Sequence, residues 1–154
     1  VATIKDKNGK VLFDDPGKDI RQLIAAQHNK HKVHLANADL RGADLHGLNL
    51  IGDDLRWADL RGADLTRANL TNATLAGVRL DDANLQWADL TGANLNDAHL
   101  DGAHLWDANL TDANFTRANL TDADLEGAIL DGATLPSAAP TAPTAAADTP
   151  GAGI

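Results

Sequence analysis

The chain has 154 residues, no cysteine, 3% aromatic residues and a formal net charge of −9. Those values leave room for one modest domain with a core of leucine and alanine, and they exclude a disulfide framework and any thiolate metal site. Apolar runs fall well short of the ~20 residues of a membrane span and Val1 to Phe13 lacks a signal-peptide pattern, so a soluble, cytoplasmic protein without a membrane partner is expected.

Residues 1–30 predict a hairpin followed by a helix. Ala2 to Lys5 and Lys10 to Phe13 flank Asp6-Lys-Asn-Gly9, whose Asn8-Gly9 pair is a strong hairpin signal. Asp14-Asp15-Pro16 then supplies an N-cap and a first-turn proline. Ile20, Leu23 and Ile24 form an apolar stripe at helical spacing, so a helix should run to near Asn29. The pair is too small to fold alone and is expected to cap the element that follows, blocking edge pairing there.

From His31 to Leu135 a leucine, once replaced by Phe115, recurs at every fifth position through 21 consecutive pentapeptides. Two positions before each centre the residue is nearly always alanine, as at Ala38, Ala43, Ala58, Ala63 and Ala68. A five-residue step turns a helical side chain roughly 140° beyond one full turn and would scatter the leucines around the cylinder. In a strand an odd step sends alternate leucines to opposite faces. A chain that bends after every five residues turns each leucine and its alanine toward a common axis.

Units such as Ala38-Asp39-Leu40, Arg61-Gly-Ala-Asp-Leu65 and Thr91-Gly-Ala-Asn-Leu95 resemble pentapeptide-repeat proteins over 105 of the 154 residues. The resemblance implies an all-β fold, a right-handed quadrilateral β-helix with 20 residues per coil, about five coils and a height of roughly 25 Å at the usual strand spacing. The position two after each centre is often Gly, Asn or Asp, which tolerate positive φ. Trp57, Arg67, Trp87 and Arg117 occupy that position too, and those corners are expected to use another turn type. Leu48 and Val78 stand in the alanine position as core adjustments, and Asp53 is directed inward between Val33 and Ala73, where a carboxylate must be hydrogen-bonded, protonated or turned out.

Charge divides the repeats. Residues 31–80 carry six acids and six bases, whereas residues 81–135 carry eleven acids against Arg117 alone, a net charge of −10. Such a surface repels nucleic acid and attracts cationic partners, or else serves as a solvated face that keeps a rod from aggregating. In a four-sided frame residues 20 apart stack. Arg41 and Arg61 then lie beside Asp39 and Asp59 as an offsetting network, while Asp81 stacks on Asp101 with Asp82 and Asp122 nearby and Arg79 alone placed to answer them. That patch reads first as simple solvated charge; it also suits a basic partner or, through its oxygen ligands, a Ca²⁺ ion, although the EF-hand spacing is missing. Trp87 and Trp106 should lie outward on neighbouring rungs with Arg67 one rung from Trp87, a contact site or a mutually packed cation–π group. Ile129 is outward near the distal end. His28, His31 and His34 cluster where the first segment joins the repeats and are read as surface histidines rather than a metal site.

Catalytic chemistry has no foothold, since tyrosine is absent and the sole serine, Ser137, lies after the repeats. No cofactor or enzyme activity is expected. Residues 136–154 are rich in Pro, Ala and Thr and read as a flexible or polyproline-like tail that a neighbouring subunit holds, with Pro140, Pro143 and Ile154 as contacts. The leading expectation is a structural or protein-interaction rod joined to a larger assembly, such as a phage particle, through its distal surface and tail. An open last coil also allows a homo-oligomer. The alternative implied by the resemblance is an acidic DNA mimic that binds and inhibits a type II topoisomerase. That reading sits less well with the basic residues of the first half and with a Pro/Ala/Thr tail where such inhibitors carry a C-terminal dimer contact.

Overall fold

The computed structural model describes residues 2–15, 19–28 and 34–137. The repeats build one continuous ladder. Isolated parallel bridges join residues 20 apart, from His34–Asp54 to Asn114–Thr134, along four tracks that begin at His34, Asp39, Asp44 and Asn49. Four tracks with a 20-residue step make a four-sided coil in which each pentapeptide supplies one side. Successive coils stack at the spacing of paired strands, about 4.8 Å.

One pentapeptide shows why the frame repeats. Asp64 N–H donates back to the Ala43 carbonyl (2.9 Å), while Leu65 and Arg67 N–H donate forward to the Asn84 and Gln86 carbonyls (2.7 and 2.9 Å). Ala68 N–H closes the corner on the Leu65 carbonyl (2.9 Å). The fifth donor, Thr66 N–H, has no ladder partner and is satisfied by the Asp64 carboxylate Oδ1 at 2.9 Å. Asn69, Asp89 and Asn114 repeat this bond to Thr71, Thr91 and Thr116. Where an Asp or Asn precedes the central residue, as in most units, its side chain is therefore the acceptor that completes the backbone's hydrogen bonding, as an Asx turn does.

At every corner from Asn37 to Gly132 the residue two after the centre has φ between 53° and 70°, whether or not it is glycine. With the i-to-i+3 hydrogen bond this is a type II turn throughout. The expectation of a different turn at the large residues fails: Trp57, Arg67, Trp87 and Arg117 have φ of 59°, 58°, 56° and 59°. Their own N–H groups carry the ladder, as Trp57 to the Ala76 carbonyl and Trp87 to that of Trp106, both at 3.1 Å. A left-handed non-glycine residue costs of order 1 kcal/mol. Abandoning the turn would forfeit two hydrogen bonds and expose the neighbouring Leu–Ala pair, which costs more.

The axis is filled by leucines at 0–2% exposure from Leu35 to Leu120, with Phe115 among them and alanines between. Leu48 and Val78 also point inward and are buried. Asp53 is fully buried and engaged with a partner; Val33, its expected neighbour, lies outside the described residues. At the distal end Leu125 and Leu130 are half-buried and Leu135 is 41% exposed.

The N-terminal segment forms β1 (Ala2–Lys5), β2 (Val11–Asp15) and α1 (Ile20–His28). β1 and β2 pair antiparallel, with Asp6 Oδ1 accepting from Asn8 and Lys10 N–H across the turn. The expected N-cap at Asp14-Asp15 is displaced, because both residues pair with β1. Asp19 caps α1 instead: its carboxylate accepts from Gln22 N–H (2.7 Å) and its own N–H donates to Gln22 Oε1 (3.3 Å), a reciprocal capping box. Pro16 and Asn29 lie outside the described residues. Ile4, Leu23 and Ile24 join the core of the first coil. The end of β1 extends the ladder backwards, with Asp39 N–H donating to the Lys5 carbonyl (2.8 Å) and Lys7 N–H to that of Asn37 (3.0 Å). Lys5 thus supplies the acceptor that a preceding coil supplies elsewhere.

Candidate functional site

The corners decide which side chains reach solvent. A left-handed corner residue leans its side chain onto the residue 20 positions later, and a glycine there often makes room. A Cβ on Gly102 would lie 2.7 Å from Asp82 Oδ1, Gly127 and Gly132 face the carboxylates of Asp107 and Asp112, and the Trp57 indole lies against Gly77. Trp57 is 56% exposed. The sequence does not mark it as a site residue, although the corner frame that contains it is readable there.

In the proximal half Arg41, Arg56 and Arg61 are engaged with acids. Arg41 and Arg61 make two-pronged pairs with Asp39 and Asp59 at 2.6–2.8 Å, and Arg56 does so with Asp54 at 2.7–2.8 Å. Arg41 also reaches Asp59 of the next coil at 3.8 Å, and Arg21 of α1 reaches Asp44 at 3.7 Å. The guanidinium donating to each carboxylate holds Asp39, Asp54 and Asp59 below the usual carboxylate range, and the Thr66 hydroxyl does the same for Asp64. A carboxyl depressed in the fold adds stability above its unfolded pKa of about 3.9 and loses it as pH falls through the folded value. The thermal midpoint should therefore stay level from pH 7 to about 5 and fall below about pH 4. A midpoint that rose on acidification would mean that relief of repulsion among the distal acids dominates.

The distal half is arranged differently. Among the described residues its acids form two ion pairs: Asp81 with Arg79 at 3.4 Å, and Asp97 with Arg117, whose two nitrogens donate across coils at 2.6 and 2.7 Å. Arg117 holds the Asp97 carboxyl low. Asp81 Oδ2 is buried and takes no hydrogen bond from the described residues. Asp101 and Asp122 are exposed at the same corner as Asp81 and Asp82, with no cation of the described residues paired to them. No group of three or more His, Asp or Glu among the described residues is placed to hold a metal ion.

At the next corner Trp87 and Trp106 meet edge to face, with ring centroids 5.0 Å apart and planes at 66°. The Arg67 guanidinium sits 5.2 Å from the Trp87 centroid. Trp87 remains 42% and Trp106 36% exposed. Ile129, 50% exposed, stands on the side that this corner leads into. The expected contacts Pro140, Pro143 and Ile154, and His31 of the histidine group, lie outside the described residues. No helix of the described residues is long and apolar enough to cross a membrane.

A family model of pentapeptide repeats matches residues 31–56, 58–97 and 98–135 in eight copies. Among solved structures, the chain is 37% identical to the pentapeptide repeat protein Rfr23 from the cyanobacterium Cyanothece 51142, covering 63% of each chain with a TM-score of 0.47. It is 33% identical to HetL, a pentapeptide repeat protein involved in heterocyst differentiation regulation in Nostoc sp. strain PCC 7120, covering 70% of this chain and 60% of that one, with a TM-score of 0.37. QnrB1, a plasmid-mediated fluoroquinolone resistance protein, is 23% identical over 62% of this chain and 59% of its own, with a TM-score of 0.30. The chain thus spans less than two thirds of each of these proteins. The comparison with curated proteins found no match.

Proposed function

Because the chain belongs to the pentapeptide-repeat family, whose members form right-handed quadrilateral β-helices and are generally non-enzymatic, we propose that it is a protein-interaction rod of a larger assembly. In this reading the hairpin and α1 cap the first coil. The distal surface, together with the tail that follows residue 135, engages a neighbouring subunit. The observation that carries it is the contrast between the two halves: Arg41, Arg56 and Arg61 of the proximal half are spent on Asp39, Asp54 and Asp59, whereas the distal acids outnumber the described cations placed to pair with them. Charges left unpaired on a rigid surface steer association with a basic partner and set its orientation. The half-buried and exposed leucines of the last coil add an apolar component to the same end.

The same excess of negative charge favours a second reading, an acidic DNA mimic that binds a type II topoisomerase. Capture experiments with the intact chain and a version ending at Leu135 separate the two. The first reading expects one structural protein to be retained from the native lysate or particle by the intact chain and lost with the tail. Capture of a type II topoisomerase that survives truncation and is abolished by salt would replace it with the second.

A further inference from the structure

We propose that the corner built by Trp87, Trp106, Asp107 and Glu126 is a docking site for an arginine-rich segment of a partner protein. The inference rests on reading the rod as an interaction element and names the chemistry that one of its corners selects. Two indoles that meet edge to face cover little of each other, and these keep 42% and 36% of their surface in water. Exposed tryptophan held rigidly on a backbone ladder is the kind of group that dominates interfaces. One guanidinium already rests here, since Arg67 of this chain stacks on Trp87, which shows that the indole accepts such a cation on its face; Trp106 has no comparable cation among the described residues.

The ladder sets carboxylates beside the rings. Trp87 N–H donates to the Trp106 carbonyl (3.1 Å) and Asp107 N–H to that of Glu126 (2.9 Å). Asp107 therefore lies one coil beyond Trp87, and Glu126 one coil beyond Trp106. Both are exposed and form no ion pair among the described residues. The Asp107 carboxylate leans over Gly127, where the absence of a side chain keeps the edge open, and exposed Ile129 supplies an apolar rim two residues further on. Indole faces beside free carboxylates match a planar guanidinium, which stacks and donates in pairs, better than a compact ammonium. Phosphate groups are repelled by the distal charge.

A second copy of this chain fits poorly as the occupant. All its arginines are engaged: Arg21, Arg41, Arg56, Arg61, Arg79 and Arg117 in ion pairs, and Arg67 on Trp87. On this proposal the guanidinium groups therefore come from another protein.

Calorimetric titration of the intact chain with hexa-arginine amide and with hexalysine amide tests the site. Tighter binding of hexa-arginine is expected, weakened about tenfold by Trp106→Ala and again by the shape-preserving pair Asp107→Asn with Glu126→Gln, and unchanged by Trp57→Ala. The carboxylate pair keeps the test decisive if the tryptophan variant folds poorly. No binding of hexa-arginine, equal affinity for hexalysine, or an equal loss from Asp101→Asn with Asp122→Asn at the neighbouring corner would overturn the site. Failure of the peptide with capture from the lysate intact would remove this corner alone; peptide binding without capture would keep the corner and remove the proposed assembly role.

Discussion

Replacing Leu90 by alanine should destabilise the rod by about 2–5 kcal/mol, toward the upper end of that range. Leu90 is fully buried between Leu70 and Leu110 in one column, and all three are at 0% exposure. The cost of such a truncation depends on how far the surroundings can collapse into the space, and here they are held on every side. Leu90 N–H donates to the Asn109 carbonyl at 2.7 Å, and the adjacent corner is closed by Ala93 N–H on the Leu90 carbonyl at 2.9 Å. A cavity in such a frame stays open. Leu130, in the same column but half-buried at the distal end, provides the comparison, and Leu130→Ala should cost less than half as much. Urea unfolding of both variants measures this. Equal losses would mean that the coils do not transmit packing along the column and that the last coil is as well covered as the middle one.

Gly62→Val is expected to cost about 1–3 kcal/mol, while Gly62→Asn should change stability by a few tenths. Gly62 has φ of +63° and nothing within 4 Å of the place where a Cβ would stand, so the comparison isolates backbone conformation from crowding. A β-branched residue strongly disfavours the left-handed region, whereas asparagine enters it readily. Asn37 and Asn72 already stand at equivalent corners. Thermal or urea denaturation of the two variants checks it. A valine variant as stable as the asparagine one would mean that this corner can change its turn type, the behaviour expected from sequence for Trp57, Arg67, Trp87 and Arg117 and not observed there.

Much of the fold was legible because the repeat is a direct image of the geometry. A five-residue period with leucine at its centre and alanine two before it suits neither standard helix nor strand, and the resemblance carried by Ala38-Asp39-Leu40 and its successors identified the family. The N-cap differs from the expectation because Asp14 and Asp15 carry the composition of a cap, yet tertiary pairing with β1 claims them, leaving Asp19 and Gln22 to begin the helix. The Asp or Asn that precedes most of the central leucines is visible in the sequence, but its role is not. That role emerges when all five N–H groups of a pentapeptide are followed to their acceptors and one of them, as on Thr66, requires a side chain. Part of the candidate surface was open to arithmetic. Stacking residues 20 apart brings Arg67 to Trp87 and leaves Asp101 and Asp122 at one corner, but it could not show that bulky corner residues keep the left-handed turn and lean over the next coil.

By itself, then, the sequence determined the period, the inward leucines and alanines and the uneven charge, since each depends on residue type at a fixed spacing. The tertiary structure decided which carboxylates are occupied and which are free. Asp39 and Asp59 are consumed by arginines two residues away, Asp97 by an arginine one coil away, and Asp107 and Glu126 have no such neighbour among the described residues. An ion pair needs a distance and a direction as well as opposite signs. Both are set by the left-handed corners and by the coil-to-coil ladder, which bring residues far apart in the chain into register.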